Sequence, residues 1–242
     1  MKLRKFIPDC ITAMNIVCGV VGLVFAFEGK PTLAFPMMLA AAVFDFCDGL
    51  AARALGAYSE LGKELDSLCD LVSFGVLPAV MLFRSSYDFS AGQYPVYWIA
   101  LAIAVFSAIR LAKFNVDPRQ HTSFLGLPTP ACALLVASLC HYAACEPSSF
   151  VAIWLAGPVF PVVLTVCLCA LLVCEIPMFS MKFTFGGHKG IDSTGWKRIA
   201  FVAFVLVFVV LAIALHLTWS AVVAAAFSLY VIKNVIYWIF KV

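Results

Sequence analysis

Four aspartates stand close together in an otherwise apolar part of the chain: Asp45, Asp48, Asp66 and Asp70. The members of each pair are three or four residues apart, so in helices each pair lies on one helix face. Carboxylates in close contact cannot all remain ionised unless their charge is compensated. A divalent cation supplies that compensation, and all-oxygen ligands suit Mg²⁺ or Mn²⁺ better than zinc. The pattern predicts a metal site for phosphoryl chemistry, where ions neutralise a pyrophosphate and stabilise a leaving phosphate.

Small and basic residues accompany the aspartates. Gly49 and Ala52 share the face of the first pair and Gly62 lies opposite, so a nucleotide could approach the helix backbone. Arg53 and Lys63 are the nearest cations. An ion-pair network around Arg53 that fixes helix register and a cation-transport path are alternative interpretations. Transport paths usually place charge near the bilayer midplane, whereas these aspartates stand at predicted helix ends around a loop. That location favours a docking site open to the cytoplasm.

The composition requires that the helices carrying these residues lie in lipid. Hydrophobic residues make up 64% of the 242 residues, charged residues only 12%, and the mean hydropathy is +1.04. Ordinary soluble domains carry about 25% charged residues. The apolar stretches are continuous rather than alternating, so we predict an all-α integral membrane protein with about eight spans. The predicted spans are Cys10–Phe27, Thr32–Ala54, Asp66–Phe83, Val96–Phe114, Pro128–Ala144, Val151–Val173, Ile199–His216 and Ser220–Phe240.

Two polar stretches are predicted not to span the membrane. Lys2–Ile7 is predicted as a short interfacial segment, because the basic start of the chain lacks the small-residue cleavage site of a signal peptide. Residues 175–198 are predicted as a cytoplasmic connector. The glycines of this connector lack the Gly-Lys-Ser/Thr ending and the strand context of a P-loop.

The distribution of lysine and arginine predicts the orientation. Lys30 and Arg84 fall on one side, Lys233 lies within the last span, and the remaining basic residues fall on the other side. This asymmetry places both termini and the aspartates on the cytoplasmic side of the inner membrane. The net charge of +3 is then concentrated beside anionic membrane lipids, and it gives no argument for nucleic acid binding.

The ten cysteines predict neither a disulfide framework nor a zinc site. Most of them stand in apolar spans, where a thiol behaves as a small hydrophobe. Cys167 and Cys169 are separated by one residue rather than by the two residues of a zinc or redox pair.

The stretch from Asp45 to Asp70 resembles the signature of the CDP-alcohol phosphatidyltransferases, Asp-x₂-Asp-Gly-x₂-Ala-Arg-x₈-Gly-x₃-Asp-x₃-Asp. Every fixed position is present, as Asp45, Asp48, Gly49, Ala52, Arg53, Gly62, Asp66 and Asp70. The resemblance implies a homodimer with a six-helix catalytic core, here residues 1–174, followed by the connector and two further helices in residues 199–242. It also implies a site for two divalent ions, Mg²⁺ or Mn²⁺.

The same resemblance implies a role for each signature residue. Asp45, Asp48 and Asp66 would be mainly metal ligands, while Asp70 would bind metal and also act as the general base. CMP would be the leaving group. The CDP-linked lipid would be held beside the metal by Thr12, Gly49, Ala52, Arg53, Ser59 and Gly62.

Four further stretches are similar to family members that use L-serine as the acceptor alcohol. They are Ile7–Asn15 with Gly19, Asp66–Gly75 with Pro78 and Ala79, Arg110–Val116, and Phe124–Ala131. The resemblance implies transfer of a phosphatidyl group from CDP-diacylglycerol to L-serine. A guanidinium can grip a carboxylate through two hydrogen bonds, so Arg110, with Lys113 and Asn115, forms the candidate serine site. Topology-setting charge at the headgroups is the alternative interpretation of these basic residues.

Other functions stay open at the level of the sequence. Transfer to glycerol 3-phosphate or to an inositol compound uses the same chemistry, although a phosphorylated acceptor would require additional cations facing the metal. A divalent cation transporter is the alternative from another class. A membrane scaffold with an inactive site is a third alternative. All eight signature residues are intact, which argues against it.

Overall fold

The computed structural model describes residues 3–57, 59–117, 124–178 and 218–240, and these are almost entirely helical. The α-helices are α1 (Leu3–Phe27), α2 (Pro31–Leu55), α3 (Glu60–Asp70), α4 (Leu77–Phe89), α5 (Ala102–Val116), α6 (Thr129–Cys145), α7 (Phe150–Ala156), α8 (Val159–Val173) and α9 (Trp219–Phe240). A π-helical segment (Leu71–Val76) joins α3 to α4, and a 3₁₀ helix (Pro95–Leu101) leads into α5. The two-residue strands β1 (Phe124–Leu125) and β2 (Pro177–Met178) pair antiparallel.

Five helical stretches within the described ranges are long and apolar enough to cross a bilayer. They are Phe6–Phe27, Pro31–Leu55, Glu60–Phe89, Pro95–Val116 and Trp219–Ile236. α6 is a shorter apolar helix, and α7 with α8 can form a sixth span as a bent pair. The protein is therefore an all-α, multi-pass membrane protein, as its composition predicts. The predicted span Ile199–His216 lies outside the described residues, so the total of eight stays a prediction.

The prediction of one continuous span over Val151–Val173 is wrong. α7 and α8 meet at a bend of 88°, which falls at Gly157 and Pro158. A proline ring disfavours helical backbone at the preceding residue, and Gly157 is accordingly extended, with φ −76° and ψ 151°. The hydroxyl of Tyr97 donates a 2.6 Å hydrogen bond to the carbonyl of Ala156, so one carbonyl exposed by the break is satisfied.

Two helix starts also differ from the prediction. α1 begins at Leu3 rather than Cys10 and runs without a break to Phe27. The interfacial location of Lys2–Ile7 stays a prediction. The third span begins at Glu60 rather than Asp66, because the hydroxyl of Ser59 caps the helix by accepting the N–H of Gly62 at 2.9 Å. Asp66 therefore lies inside a helix with a defined face, which fixes the direction of its side chain.

α1 is the helix on which the aspartate-bearing elements are assembled. It packs most extensively against α2, and also against α3, the π-helical segment and α4. Gly22 of α1 allows this approach, since a Cβ atom there would lie 2.7 Å from Leu77 and 3.3 Å from Met37. The short connection between α2 and α3 predicts that these helices are antiparallel neighbours at the aspartate end. Their carboxylates do meet there, although the two helix backbones have few close contacts with each other. The aspartate side chains bridge the space between them.

α9 packs against α6 and joins the same apolar core. The indole of Trp219 stacks on the ring of Phe35 from α2, with centroids 5.0 Å apart and 6° between the planes. It also contacts the ring of His141 from α6, at 4.8 Å between centroids. Tyr230, farther along α9, is buried in that core. The division of the chain into residues 1–174, 175–198 and 199–242 stays a prediction.

All ten cysteines are free thiols. Cys132, Cys140 and Cys169 are buried among apolar side chains of the core. Their packing agrees with the interpretation of these residues as small hydrophobes.

Candidate active site

The four aspartates converge between α2 and α3. One oxygen from each of Asp45, Asp48 and Asp66 lies within 4.8 Å of the other two. The carboxyl group of Asp45 also lies within hydrogen-bonding reach of Asp66 and Asp70. Each helix contributes one pair from one face, as the three- and four-residue spacing predicts. Carboxylate oxygens grouped in this way form a ligand set for a hard divalent cation.

Asp48 is buried, with 6% of its surface exposed, and it is held from α1. The hydroxyl oxygen of Thr12 lies 2.5 Å from Oδ2 of Asp48 and 3.0 Å from the carbonyl oxygen of Pro8. A hydroxyl carries one proton, and an ionised carboxylate is the stronger acceptor, so the proton points to Asp48. Thr12, which the sequence predicts as a ligand of the CDP-lipid, therefore contacts the cluster through a carboxylate.

Asp70 is also held from α1. The side-chain amide of Asn15 donates a hydrogen bond of 3.2 Å from Nδ2 to Oδ1 of Asp70. Asp70 is the last residue of α3, and the π-helical segment begins at Leu71. Single π-helical turns are frequent at functional sites, where they change the direction of the side chains that follow.

The two cations nearest to the aspartates in the sequence, Arg53 and Lys63, do not neutralise the cluster. Arg53 is exposed and forms no ion pair with any of the four aspartates among the described residues. Lys63 instead donates from Nζ to the backbone carbonyl of Asn115, at 3.2 Å. The interpretation of the aspartates as an ion-pair network around Arg53 therefore has no support in the geometry. Carboxylates grouped in this way fit a divalent cation, which would reduce the repulsion between them.

The two signature glycines differ in what covers them. Among the described residues, a Cβ atom at Gly49 would meet only Nη2 of Arg53, at 3.8 Å, so these residues leave the surface beside the α2 pair open, as expected. A Cβ atom at Gly62 would lie 2.9 Å from the hydroxyl of Ser59 and 3.0 Å from Oδ1 of Asp9. The expectation that Gly62 leaves an open surface is wrong. Its small size is used by the cap of α3 and by the first turns of α1.

α2 ends directly after the signature alanine and arginine. Gly56 adopts the left-handed conformation, with φ 57°, and its N–H group faces the carbonyls of Ala52 and Arg53. Ala52 is half-buried, whereas the Arg53 side chain projects to the surface. The cap therefore fixes the last turn of α2 beside the carboxylates.

Arg110 is buried beside the cluster rather than exposed at the headgroups. Its Nη1 donates a 2.9 Å hydrogen bond to the hydroxyl of Thr129, and its guanidinium lies 5.9 Å from the ring centroid of Phe114. Asp70 and Tyr230 lie within electrostatic range of it. Its Nε is buried and has no hydrogen-bond partner among the described residues. A charge that only set the topology would reach water, so this burial favours a binding role.

The other two candidate serine-binding residues lie at the end of α5. The amide of Asn115 donates a 2.9 Å hydrogen bond from Nδ2 to the hydroxyl of Ser67 on α3. Lys113 is exposed. Asn115 and Lys63 thus connect the end of α5 to α3, which places Arg110 on a helix fixed to the aspartate-bearing elements.

Asn15 and Thr129 contact site residues, although the sequence-based prediction gave them no role. Both lie in stretches that are similar to serine-using family members. The signal that could have found them is polarity within an apolar helix, because a buried amide or hydroxyl requires a partner. The sequence gives no indication of which partner each one meets across the helix interface.

A family model described as CDP-alcohol phosphatidyltransferase matches residues 5–160, which is more than half of the chain. The chain belongs to the CDP-alcohol phosphatidyltransferase family. The match runs from α1 into α8 and contains all four aspartates. The family resemblance seen in the signature is thereby confirmed.

Curated relatives within this family share the same part of the chain. The CDP-diacylglycerol–serine O-phosphatidyltransferase of Mycobacterium tuberculosis (strain H37Rv) is 37% identical over 143 residues, covering 56% of this chain and 49% of the relative. The protein of the same name from Bacillus subtilis is 33% identical over 137 residues, covering 56% and 75%. The archaetidylserine synthase of Methanothermobacter thermautotrophicus is 33% identical over 141 residues, covering 57% and 59%. The chain spans about half the length of the mycobacterial relatives that it matches.

Proposed function

We propose that this protein is a phosphatidylserine synthase, which transfers the phosphatidyl group of CDP-diacylglycerol to L-serine and releases CMP. The observation that carries the proposal is the approach of oxygens from Asp45, Asp48 and Asp66 to within 4.8 Å of one another, at the family's signature positions. Relatives of 33% to 38% identity that are named for transfer to serine support the choice of acceptor.

Asp45, Asp48 and Asp66 would hold the divalent cations, Mg²⁺ or Mn²⁺, and Asp70 would complete a site for two ions. Carboxylate oxygens are the donors that such hard ions prefer. When bound, the ions neutralise the pyrophosphate of the donor and stabilise the departing CMP. Thr12 orients Asp48 for this task through the hydrogen bond to Oδ2.

Asp70 is the general base. The hydroxyl oxygen of serine attacks the phosphorus that carries the diacylglycerol, and its proton passes to the Asp70 carboxylate. One phosphorus–oxygen bond forms to serine, and the bond from the same phosphorus to CMP breaks. No oxidation or reduction is involved. The protein contributes mainly by holding the two substrates in the reactive orientation.

The CDP headgroup binds along the open face of α2. Gly49 leaves room there, since Arg53 is the one described residue that would approach a Cβ atom, and Ala52 adds little bulk. The exposed guanidinium of Arg53 contacts phosphate without first breaking an ion pair to the aspartates. The hydroxyl of Ser59 accepts from Gly62 and keeps its own proton to donate to the nucleotide. The acyl chains lie between helices and extend laterally into the bilayer.

Arg110 binds the carboxylate of serine. It is buried, it lies within electrostatic range of Asp70, and its Nε proton is not used by the described residues. Thr129 fixes one nitrogen of the guanidinium and so sets the direction of the others. The exposed Lys113 raises the local concentration of anionic substrates, and Asn115 supports the site through Ser67.

The cluster faces the cytoplasm, where serine is available, and both termini lie on that side of the inner membrane. The uneven distribution of lysine and arginine supports this orientation. The protein acts as a homodimer in which residues 1–174 carry out catalysis. Residues 175–198 connect this core to the C-terminal part of the chain.

The decisive experiment supplies the purified full chain, in lipid vesicles with Mg²⁺ or Mn²⁺, with CDP-diacylglycerol and one alcohol at a time. The alcohols are L-serine, glycerol 3-phosphate and inositol phosphate, and the measurement is released CMP together with the lipid product. We expect CMP and phosphatidylserine with L-serine only. CMP with another alcohol would reassign the acceptor within the family chemistry. Vesicle uptake of the divalent ion without CMP formation from any alcohol would favour a transporter.

A further inference from the structure

Asn15 is a polar residue at a buried position where helix packing alone would favour an apolar side chain. It lies in the apolar helix α1, is fully buried, and directs its amide nitrogen at Oδ1 of Asp70 over 3.2 Å. Its own Oδ1 is buried and has no hydrogen-bond partner within the described ranges. A buried amide with an unmet acceptor destabilises the fold, so an apolar side chain would suit helix packing better. The useful contact of the amide is therefore the hydrogen bond that its N–H group donates to Asp70.

The backbone around Asn15 is fixed from the same side. The hydroxyl of Ser73, in the π-helical segment, donates a 3.2 Å hydrogen bond to the carbonyl oxygen of Asn15. One turn later in α1, Gly19 packs against Ser73, and a Cβ atom at Gly19 would lie 3.1 Å from the Ser73 Cα. These contacts join α1 to the segment that begins directly after Asp70. Asn15 and Asp70 are therefore held together by their backbones as well as by their side chains.

We infer that Asn15 is a positioning residue for Asp70, and this inference rests on the proposed function of Asp70 as the base. Asp45 and Asp66 place negative charge beside Asp70, and repulsion between carboxylates turns their side chains apart. The amide of Asn15 opposes that rotation with a charge-assisted hydrogen bond and adds no charge of its own. It occupies one oxygen of Asp70 and thereby fixes the plane of the carboxylate that receives the proton of the acceptor hydroxyl.

The test replaces Asn15 by leucine, which keeps the approximate volume and removes the N–H donor. A hydrogen bond to a charged group contributes enough to change a rate about ten- to one-hundredfold. We expect Asn15→Leu to lower kcat by that amount, while the KM and the dissociation constant for CDP-diacylglycerol change less than about twofold. We also expect a larger solvent deuterium isotope effect on kcat, because transfer of the proton to a misplaced base becomes slower.

The matched control is Asn234→Leu in α9, where a buried asparagine donates to the carbonyl of Tyr230 one turn earlier in its own helix. It removes a buried amide on a different helix from those that carry Asn15 and the aspartates, and the solvent isotope effect should equal that of the wild type. A full rate in Asn15→Leu would overturn the inference. So would a slower variant with an unchanged isotope effect and weaker CDP-diacylglycerol binding, since that combination indicates a structural role only.

Failure of the inference and failure of the proposed function give different results. If the wild-type protein releases no CMP with any alcohol, the function assigned to Asp70 is wrong before any variant is compared. If the wild type forms phosphatidylserine and Asn15→Leu matches it in rate and isotope effect, only the role of Asn15 is wrong.

Discussion

The hydroxyl of Thr12 and the Oδ2 atom of Asp48 lie 2.5 Å apart, which joins α1 to α2 at the carboxylate cluster. Three residues farther along α1, Asn15 makes the corresponding contact with Asp70 of α3. The same face of one helix therefore holds one carboxylate from each aspartate pair. Because α2 and α3 have few direct backbone contacts, α1 sets the distance between the two halves of the site.

Replacement of Thr12 by valine should weaken metal binding. Valine keeps the shape and removes the hydroxyl that orients Asp48, and loss of a partner that orients a metal ligand typically lowers metal affinity about 10- to 100-fold. The Mg²⁺ or Mn²⁺ concentration for half-maximal CMP release should rise by that factor. Thr12→Ser, which keeps the hydroxyl, should resemble the wild type. An unchanged metal requirement in Thr12→Val would show that the hydrogen bond does not orient a metal ligand.

Replacement of Asp70 by asparagine should reduce phosphatidylserine formation about 100- to 10,000-fold, which is the usual contribution of a general base. The loss arises because an amide of the same shape cannot accept the proton of the serine hydroxyl. The exposed Glu64, on the same helix α3, provides the control, and Glu64→Gln should retain the wild-type rate. A near-normal rate in Asp70→Asn, measured at saturating metal, would exclude this residue as the base.

The sequence predicts the carboxylate cluster well because its information is local. Helical spacing puts each pair on one face, and lipid makes idle charge costly, so few functions fit Asp45, Asp48, Asp66 and Asp70. The partners of that cluster are not local. Thr12 and Asn15 meet their carboxylates only after α1 packs against two other helices, and no periodicity in a single segment reveals that pairing.

The bend between α7 and α8 and the π-helical segment show a second limit on what the sequence predicts. The mostly apolar residues of Leu71–Val76 are equally compatible with an α-helix. Their pattern therefore does not predict the π-helical hydrogen bonds of this segment. Gly157 and Pro158 do carry a local signal, since the residue before a proline avoids helical backbone. The length of the apolar stretch nevertheless predicts one continuous span. Proline is compatible with such a span when neighbouring groups satisfy the freed backbone.

Replacement of Arg110 by lysine should raise the KM for serine about tenfold while the KM for CDP-diacylglycerol changes less than about twofold. Lysine keeps a positive charge in this buried position, so folding is preserved, but it loses the planar pair of donors that a carboxylate accepts. Arg84→Lys, in the partly exposed ion pair with Asp88 on α4, is the matched control and should change either KM only slightly. Equal increases for both substrates would instead indicate that Arg110 supports the structure of the site.

Removal of divalent ions with a chelator should stop CMP release, and added Mg²⁺ or Mn²⁺ should restore it. The reason is that ionised carboxylates in close contact repel one another and the donor pyrophosphate. Metal binding should also raise the temperature of thermal unfolding of the wild-type protein, because a ligand that binds the folded state stabilises it. Asp45→Asn should lose most of that stabilisation. Full activity after exhaustive chelation would contradict a metal site at the aspartates.

Replacement of Gly19 by alanine should destabilise the protein and slow the reaction together. The added Cβ atom would meet the hydroxyl of Ser73 and would lie 3.1 Å from its Cα, so α1 must move away from the π-helical segment. Such overpacking costs about 1–3 kcal/mol. The displacement also lengthens the hydrogen bond from Asn15 to Asp70, so kcat should fall together with the temperature of thermal inactivation.

Gly157 offers the matched control for this change. Its backbone is extended at φ −76°, and the nearest atoms to an added Cβ are carbonyl oxygens at 3.5 and 3.8 Å, which are ordinary contacts. Gly157→Ala should therefore leave the inactivation temperature and kcat close to those of the wild type. If Gly19→Ala behaves in the same way as Gly157→Ala, α1 does not depend on the close approach at Ser73, and the distance between Asn15 and Asp70 is set by other contacts.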